Sequence, residues 1–336
     1  MLAPKMTGLI DRAMDWAVVP GFTSLGFRAR SRGWEETPDL AGRSVAVTGA
    51  SSGLGAATCE ILAAAGADVH MVVRNPGKGE DVRAGIAERN PGASLTLWEC
   101  DVSDLASVRA FAERHLADGP GLAALVNNAG SMPPERRHSP DGFELTFATN
   151  VLGPFLLTTL LLPALRAGAP SRVINVSSGG MYTAKLDAAD LQLARRDYNS
   201  PRFYAHTKRC EVILAELFQE RAGNGVSFHS MHPGWADTPG VQESLPGFRR
   251  VMGPLLRDEH QGADTIAWLC WAPEPLREPG RFWHDRAPRA THKAPWTRED
   301  ESDRELLWHE CIRLSGLSGS DEMGGHGEDD ERAKEA

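Results

Sequence analysis

The chain has 336 residues, 41% of them hydrophobic and 24% charged, enough apolar material to bury a full core. Its formal net charge of −9 gives no electrostatic basis for binding nucleic acid. The five cysteines (Cys59, Cys100, Cys210, Cys270 and Cys311) are odd in number and show neither Cys-x-x-Cys nor metal-ligand spacing, so they read as reduced, mostly buried thiols of a cytoplasmic protein without a metal.

Residues 1–40 read as an N-terminal helical arm. Residues 1–20 lack a basic end followed by an apolar block, so no secretory leader is expected there. Met6, Leu9, Ile10, Ala13, Met14 and Ala17 form one apolar helical stripe opposite Asp11, Arg12 and Asp15. Two readings of residues 6–19 stand. One is a weak membrane-surface contact flanked by Arg28, Arg30 and Arg32; the other is an arm packed on the main domain. The acids on the polar face favour packing.

From Arg43 the pattern becomes regular. Ser44-Val45-Ala46-Val47-Thr48 is a β-branched run, followed by Gly49-Ala50-Ser51-Ser52-Gly53-Leu54-Gly55. A helix-forming stretch from Ala56 to Ala65 comes next, closed by Gly66. Strand, glycine turn and helix make a dinucleotide cradle, with a plain turn as the alternative. Glycine lets the backbone approach a pyrophosphate, and free N–H groups at the helix start face its charge.

A second strand, Asp68 to Val73, ends at Arg74. An acid at that point would hold a ribose 2′-hydroxyl, whereas arginine suits a 2′-phosphate, so NADP(H) is favoured over NAD(H). The alternation continues through a helix near 77–89, a strand Ser94–Glu99 with Asp101 at its end, and a helix over 104–117. A strand Ala123–Val126 then ends in Asn127-Asn128-Ala129-Gly130. This order predicts an α/β fold with one Rossmann-type, doubly wound parallel sheet over 41–316 and helices on both faces. Ligands belong at the strands' carboxyl ends. The apolar run Val151 to Leu165 contains Gly153, Pro154 and Pro163 and reads as buried helix, not a membrane span. Tyr204 and Lys208, four apart on a helix, share a face. A free phenol ionises at about pH 10. An ammonium beside it favours the phenolate and makes the pair a candidate proton-transfer centre.

Four motifs occur in order: Thr48-Gly49-x-x-x-Gly53-x-Gly55, Asn127-Asn128-Ala129-Gly130, Ser177-Ser178 after a strand, and Tyr204-x-x-x-Lys208. With them the chain resembles the short-chain dehydrogenase/reductase family over residues 43–285. Ser177-Ser178-Gly179-Gly180-Met181, Met231-His232-Pro233-Gly234-Trp235 and Gln261-Gly262-Ala263-Asp264-Thr265 resemble its member-twelve branch, which is similar to the retinol-dehydrogenase-like enzymes. The resemblance implies that Tyr204 exchanges a proton with the substrate oxygen. Lys208 would assist it and bind the nicotinamide ribose. Ser178 would hold the carbonyl oxygen, and Asn150 would position a proton-relay water. Gly49, Ser51, Ser52, Gly53, Leu54 and Gly55 would line the pyrophosphate. Asp101 and Val102 would meet the adenine, and Asn128, Ala129 and Gly130 would lie beside its ribose. Pro233, Gly234 and Thr238 would lie near the carboxamide. A homodimer or homotetramer is implied in the same way.

The interval from Ser178 to Tyr204 is longer than usual for the family, with Met181 to Pro201 inserted. Its Lys185, Asp187, Asp190, Arg195, Arg196 and Asp197 read as solvated surface. Gly240 to Pro254 reads as a loop carrying Leu245, Phe248 and Met252, with Trp235 just before it. These residues suit an apolar substrate or, equally, lid packing or a subunit contact. Ala263 to Trp271 reads as a helix, Arg281-Phe282-Trp283 as a final strand, and Leu307, Trp308 and Ile312 as the packed face of a terminal helix. His206 and His232 adjoin motif residues but read as structural. Residues 317–336 carry seven acids against two bases and read as a disordered acidic tail. Two function classes follow. One is an NADP(H)-dependent oxidoreductase interconverting an apolar aldehyde or ketone and its alcohol; the other is a cofactor-binding regulatory or scaffold protein. The presence of Ser178, Tyr204 and Lys208 favours catalysis.

Overall fold

The computed structural model describes residues 11, 14–244 and 246–318. Eight strands form one sheet: β1 Ser44–Thr48, β2 Asp68–Val73, β3 Ser94–Glu99, β4 Ala124–Asn127, β5 Ser171–Val176, β6 Val226–Met231, β7 Phe282–His284 and β8 Ala287–Arg289. Their order is β3-β2-β1-β4-β5-β6-β7-β8. All neighbours are parallel except β7 and β8. The strand order reverses between β1 and β4, and there the carboxyl ends of these two neighbouring strands open a crevice.

The helices used below are α1 Val18–Phe22, α2 Ser24–Arg30, α3 Gly53–Ala64, α4 Pro76–Arg89 and α5 Leu105–Asp118. Helix α6 spans 145–160 and contains a π turn at Ala148–Leu152. Then come α7 Leu162–Ala167, α8 Ser200–Ala222, α9 Pro239–Ser244, α10 Pro246–Met252, α11 Glu259–Trp271 and α12 Glu301–Ser315. Side chains alternate across a strand, so each central strand feeds two cores. Val45, Val47, Val126 and Ile174 pack under α3 and α11, while Ala46, Leu125 and Val173 pack under α5, α6 and α8. Helix α12 closes the second core with Trp308, whose ring meets Phe155 at 5.1 Å and Phe218 at 4.9 Å. Aromatic pairs of this kind contribute about 0.5–1.5 kcal/mol beyond burial. The start of α8 is fixed by Asn199, whose side chain accepts from the Arg202 amide at 3.0 Å.

Two expectations change and a third is refined. Residues 240–254 are not a loop: α9 and α10 occupy most of them, tied down by Ser244 Oγ donating to the Met132 carbonyl at 2.8 Å. Leu245 lies outside the described residues. The strand at 282–284 is not the last, because the chain turns at Asp285-Arg286 and returns antiparallel as β8. The third concerns 181–201, where the charged residues lie at the surface as expected while the apolar ones between them join the core. The charged residues are exposed or half-buried, but Met181, Tyr182, Leu186, Leu191 and Leu193 are buried.

The arm contacts the domain through its acids. Asp11 pairs with Arg30 at 2.8 Å and Arg289 at 2.6 Å, and Asp15 pairs with Lys293 at 3.4 Å. Trp16 and Val19 point outward, 82% and 50% exposed. Met6, Leu9, Ile10 and Ala13 of the apolar stripe, and the tail beyond Ser318, lie outside the described residues. No described helix is long and apolar enough to cross a membrane. All five cysteines are free and buried.

Candidate active site

The glycine turn between β1 and α3 sits against the end of β4. Gly49 has a φ of +67°, and a Cβ there would fall 2.9 Å from the Ala129 Cα. A Cβ on Gly55 would fall 2.3 Å from the Gly49 carbonyl oxygen and 2.6 Å from the Asn128 side-chain Nδ2. Only glycine fits either place. Thr48 ties the two segments together: its Oγ1 accepts from the Asn128 and Ala129 amides, both at 3.0 Å. Asn128 Nδ2 donates back to the Thr48 carbonyl at 2.9 Å. Gly53 has a φ of +54°, and a Cβ there would fall 3.5 Å from Pro239 Cδ and 3.6 Å from Thr238 Cβ, so the turn reaches the far lip of the crevice. Ser51 and Ser52 lie at the start of α3, and Leu54 leans toward Gly262 on α11. Arg74 is exposed just past β2 and has no ion-pair partner among the described residues. Asp101 follows β3 and binds the Ser103 amide and hydroxyl through one oxygen at 2.9 and 2.7 Å, with Val102 buried beside it.

Tyr204 and Lys208 share one face of α8, with the Lys208 Nζ 5.4 Å from the Tyr204 ring centroid. Lys208 is buried and donates to the Val176 carbonyl at 2.9 Å and to Glu211 Oε1 at 2.6 Å. Burial pulls its pKa down, but the charges of Glu211 and Tyr204 outweigh that and hold it above the ordinary lysine value. The two serines after β5 differ in environment. Ser177 is buried and donates to the Lys208 carbonyl at 2.7 Å, whereas the half-buried Ser178 caps the turn Gly179–Thr183. A Cβ on Gly180 would meet Ser178 Oγ at 3.7 Å and Ala205 Cβ at 3.8 Å, so this turn lies against α8 beside Tyr204.

Asn150 sits inside the π turn of α6, an irregularity often found at functional sites. Its Oδ1 accepts from the Ser131 amide at 2.8 Å and its Nδ2 donates to Thr207 Oγ1 at 2.9 Å. A Cβ on Gly130 would stand 3.6 Å from both Asn150 Oδ1 and Lys208 Nζ. Thus Asn150 and Lys208 converge beside Gly130, with the Tyr204 ring centroid 5.4 Å from the Lys208 ammonium. His206 and His232 are buried among structural contacts. Burial lowers His206 to about 4, and its Nε2 accepts from the Asp187 amide at 3.0 Å.

The lip opposite the glycine turn is braced by the arm. The Trp235 amide donates to the Phe22 carbonyl at 2.8 Å, and the Phe22 ring stands edge-on to Trp235 and His232. Arg257 donates to the Pro233 and Gly21 carbonyls at 3.0 and 3.1 Å. Gly234 has a φ of +78°, and a Cβ there would fall 2.5 Å from the Arg257 guanidinium. Phe248 of α10 meets Trp235 at 5.2 Å, giving this side an aromatic wall. The sequence singled out neither Phe22, Arg257 nor Glu211, and it named Asn127 only as part of its motif, without a role. Asn127 joins β4 to its neighbours by donating to Thr158 Oγ1 and Asn175 Oδ1 at 3.0 and 2.9 Å. Only Asn127, inside a named motif, and Glu211, three residues past Lys208, carried a signal that could have found them.

Comparisons with known proteins agree with this arrangement. The short chain dehydrogenase family model matches residues 43–187. Dehydrogenase/reductase SDR family member 12 of Bos taurus is 40% identical over 88% of this chain and 95% of its own length. Retinol dehydrogenase 12 of Homo sapiens is 35% identical, covering 83% of this chain and 88% of its own. A crystal structure of an uncharacterized protein from Mycobacterium paratuberculosis superposes with a TM-score of 0.67 at 29% identity, over 84% of this chain and 97% of that one. Glycine cradle, Tyr204–Lys208 pair and relatives together identify the chain as a member of the short-chain dehydrogenase/reductase family, an oxidoreductase of CH–OH and carbonyl groups.

Proposed function

We propose that this enzyme is NADP(H)-dependent and interconverts an apolar aldehyde or ketone and its alcohol. The observation that carries the catalytic part is the buried Lys208 ammonium 5.4 Å from the Tyr204 ring, at the mouth of the glycine cradle. The cradle fits a dinucleotide, because Gly49, Gly53 and Gly55 leave open the space that side chains would fill. Gly49, Ser51, Ser52, Gly53, Leu54 and Gly55 would hold its pyrophosphate, and Asp101, Val102, Asn128, Ala129 and Gly130 its adenosine half. Pro233, Gly234 and Thr238 would hold the carboxamide end. When bound, the cofactor supplies or takes the hydride. Ser178 donates a hydrogen bond to the substrate oxygen and fixes its position. Tyr204 gives that oxygen a proton in reduction and takes one in oxidation. Lys208 favours negative charge on the Tyr204 oxygen in both directions.

The apolar substrate is supported by the Trp235 and Phe248 wall and by relatives named for retinol and polyprenol. Five free, buried thiols support a cytoplasmic location. The homodimer or homotetramer rests on the family resemblance alone. A weak membrane-surface contact through residues 6–19 is supported by the exposed Trp16 and Val19.

NADP(H) preference rests on Arg74, an exposed cation at the end of β2 with no ion-pair partner among the described residues. Replacing it by aspartate is expected to weaken NADPH binding by about 10- to 100-fold, the value of one charge-assisted contact to a phosphate. NADH binding should improve or stay level. Fluorescence titration of both cofactors on both proteins measures this, and a wild type that binds NADH as tightly as NADPH would sink the preference.

A further inference from the structure

Glu211 lies three residues beyond Lys208, one turn deeper along α8. Carboxylates on helices usually face solvent, but this side chain is only 5% exposed and that of Lys208 only 3%. Its Oε1 accepts from the Lys208 Nζ at 2.6 Å, while its Oε2 is buried with no hydrogen-bond partner among the described residues. Beside it lies a cavity of about 10 Å³ whose lining includes Asn150, Thr158, Asn175 and Glu211 itself. A cavity of that size with several polar partners is at the limit that admits one water. Lys208 is thus held between Tyr204 on one side and a carboxyl with an open oxygen on the other.

We propose that Glu211 is the inner proton partner of Lys208, positioning its ammonium and exchanging protons with it as Tyr204 turns over. This rests on the reading of Tyr204 as the proton donor. In reduction, Tyr204 loses a proton to the substrate oxygen as the hydride arrives at carbon. The phenolate is reprotonated by way of Lys208, which passes one proton on as it takes one from the Glu211 carboxyl, so its own charge is unchanged. The Glu211 carboxylate regains its proton from water, whose hydroxide returns to solvent. The net change is one proton drawn from solvent for each carbonyl reduced.

The environment fits a carboxyl that changes state in the working range. Burial drives Glu211 up to about 7, against the pull of Lys208. The charged or titratable groups near it are Lys208, Tyr204 and Cys210, all on α8. The residues of α6 and β5 that share its cavity, including Asn150, Thr158, Asn175 and Phe155, carry no titratable group. As pH rises through the Glu211 value, the neutral carboxyl that can donate gives way to the carboxylate that cannot.

The test is the pH dependence of kcat for carbonyl reduction in the wild type, Glu211→Gln and Glu211→Asp, with NADPH affinity and Tm measured alongside. The wild-type rate should fall as pH rises through about 7. Glu211→Gln keeps the shape and the hydrogen bond to Lys208, so this limb should vanish while NADPH affinity holds within a few-fold. Glu211→Asp should retain a titrating limb at a shifted pH, which a merely structural role would not produce. A Glu211→Gln profile that keeps the wild-type limb overturns the proposal. So does a wild-type profile flat from pH 6 to 8, a result that needs no variant to fold. Tyr204→Phe run beside them separates the two readings: if it turns over normally the catalytic assignment fails, whereas its loss with an unchanged Glu211→Gln profile removes only the proposal for Glu211.

Discussion

Replacing Tyr204 with phenylalanine is expected to lower kcat for carbonyl reduction by about 10²- to 10⁴-fold, the range of a positioned acid–base group. The substitution removes one oxygen and keeps the ring. The ring's contact with Lys208 remains, as do the Thr207 bond to the Tyr204 carbonyl and the Lys208 bonds to Val176 and Glu211. NADPH affinity should therefore change by no more than a few-fold, and Tm should hold. Stopped-flow NADPH oxidation with cofactor titration separates these quantities. Loss of binding in parallel with rate would point instead to a scaffold role for the phenol.

The second large effect is structural. Asp285 is fully buried and accepts from Arg257 at 2.6 and 2.9 Å and from Arg30 at 2.8 Å. It also occupies the left-handed region, with a φ of +51°, at the turn between β7 and β8. Asp285→Ala leaves the buried Arg257 guanidinium without its counter-charge and Arg30 with Asp11 alone, and breaking such a network by one partner costs about 3–5 kcal/mol. For a domain of this size that is a fall in Tm of roughly 5–10 °C. Arg257 also carries the Pro233 and Gly21 carbonyls, so cofactor affinity should drop with stability. Burial would raise the Asp285 carboxyl, but His284, Arg257 and Arg30 more than offset it and hold it well below the usual carboxylate range. A depressed carboxylate contributes stability above its unfolded value near pH 4, and that contribution is lost as pH falls through the folded value. The stability gap between wild type and variant should therefore narrow below about pH 4. Thermal unfolding across pH 3–8 checks both the size and the sign.

The central parallel strands were legible because strands buried on both faces read as apolar runs rich in β-branched residues, and β1, β2 and β4 begin and end within a residue of where the sequence placed them. Strand β8 was not, for a physical reason. Ala287-Pro288-Arg289 lacks β-branched residues, and the turn Asp285-Arg286 uses two positive-φ residues without glycine or asparagine. That turn is stabilised by Arg30, 255 positions away, which no local pattern reveals. Helices α9 and α10 were read as loop because Gly240, Pro246 and Gly247 weaken helix propensity, while tertiary contacts such as Phe248 on Trp235 hold them in place. Asn150, Tyr204 and Lys208 were found from spacing and resemblance, and the fold gathers Asn150 and Tyr204 about the Lys208 ammonium. The brace from the arm was hidden because Phe22 and Trp235 are joined partly through backbone groups, which carry no sequence signal. Glu211 was visible only as one more acid on a helix, since burial is a property of the assembled fold.

The most direct test follows the hydride. Wild-type protein is incubated with NADPH deuterated at nicotinamide C4 and a panel of apolar aldehydes and ketones, including retinal, and the alcohols formed are weighed by mass spectrometry. Alcohol one mass unit heavier, carrying deuterium on the former carbonyl carbon and absent with Tyr204→Phe, is the predicted result. Tight NADPH binding with no deuterium delivered to any member of the panel would contradict an NADP(H)-dependent reductase of apolar carbonyls.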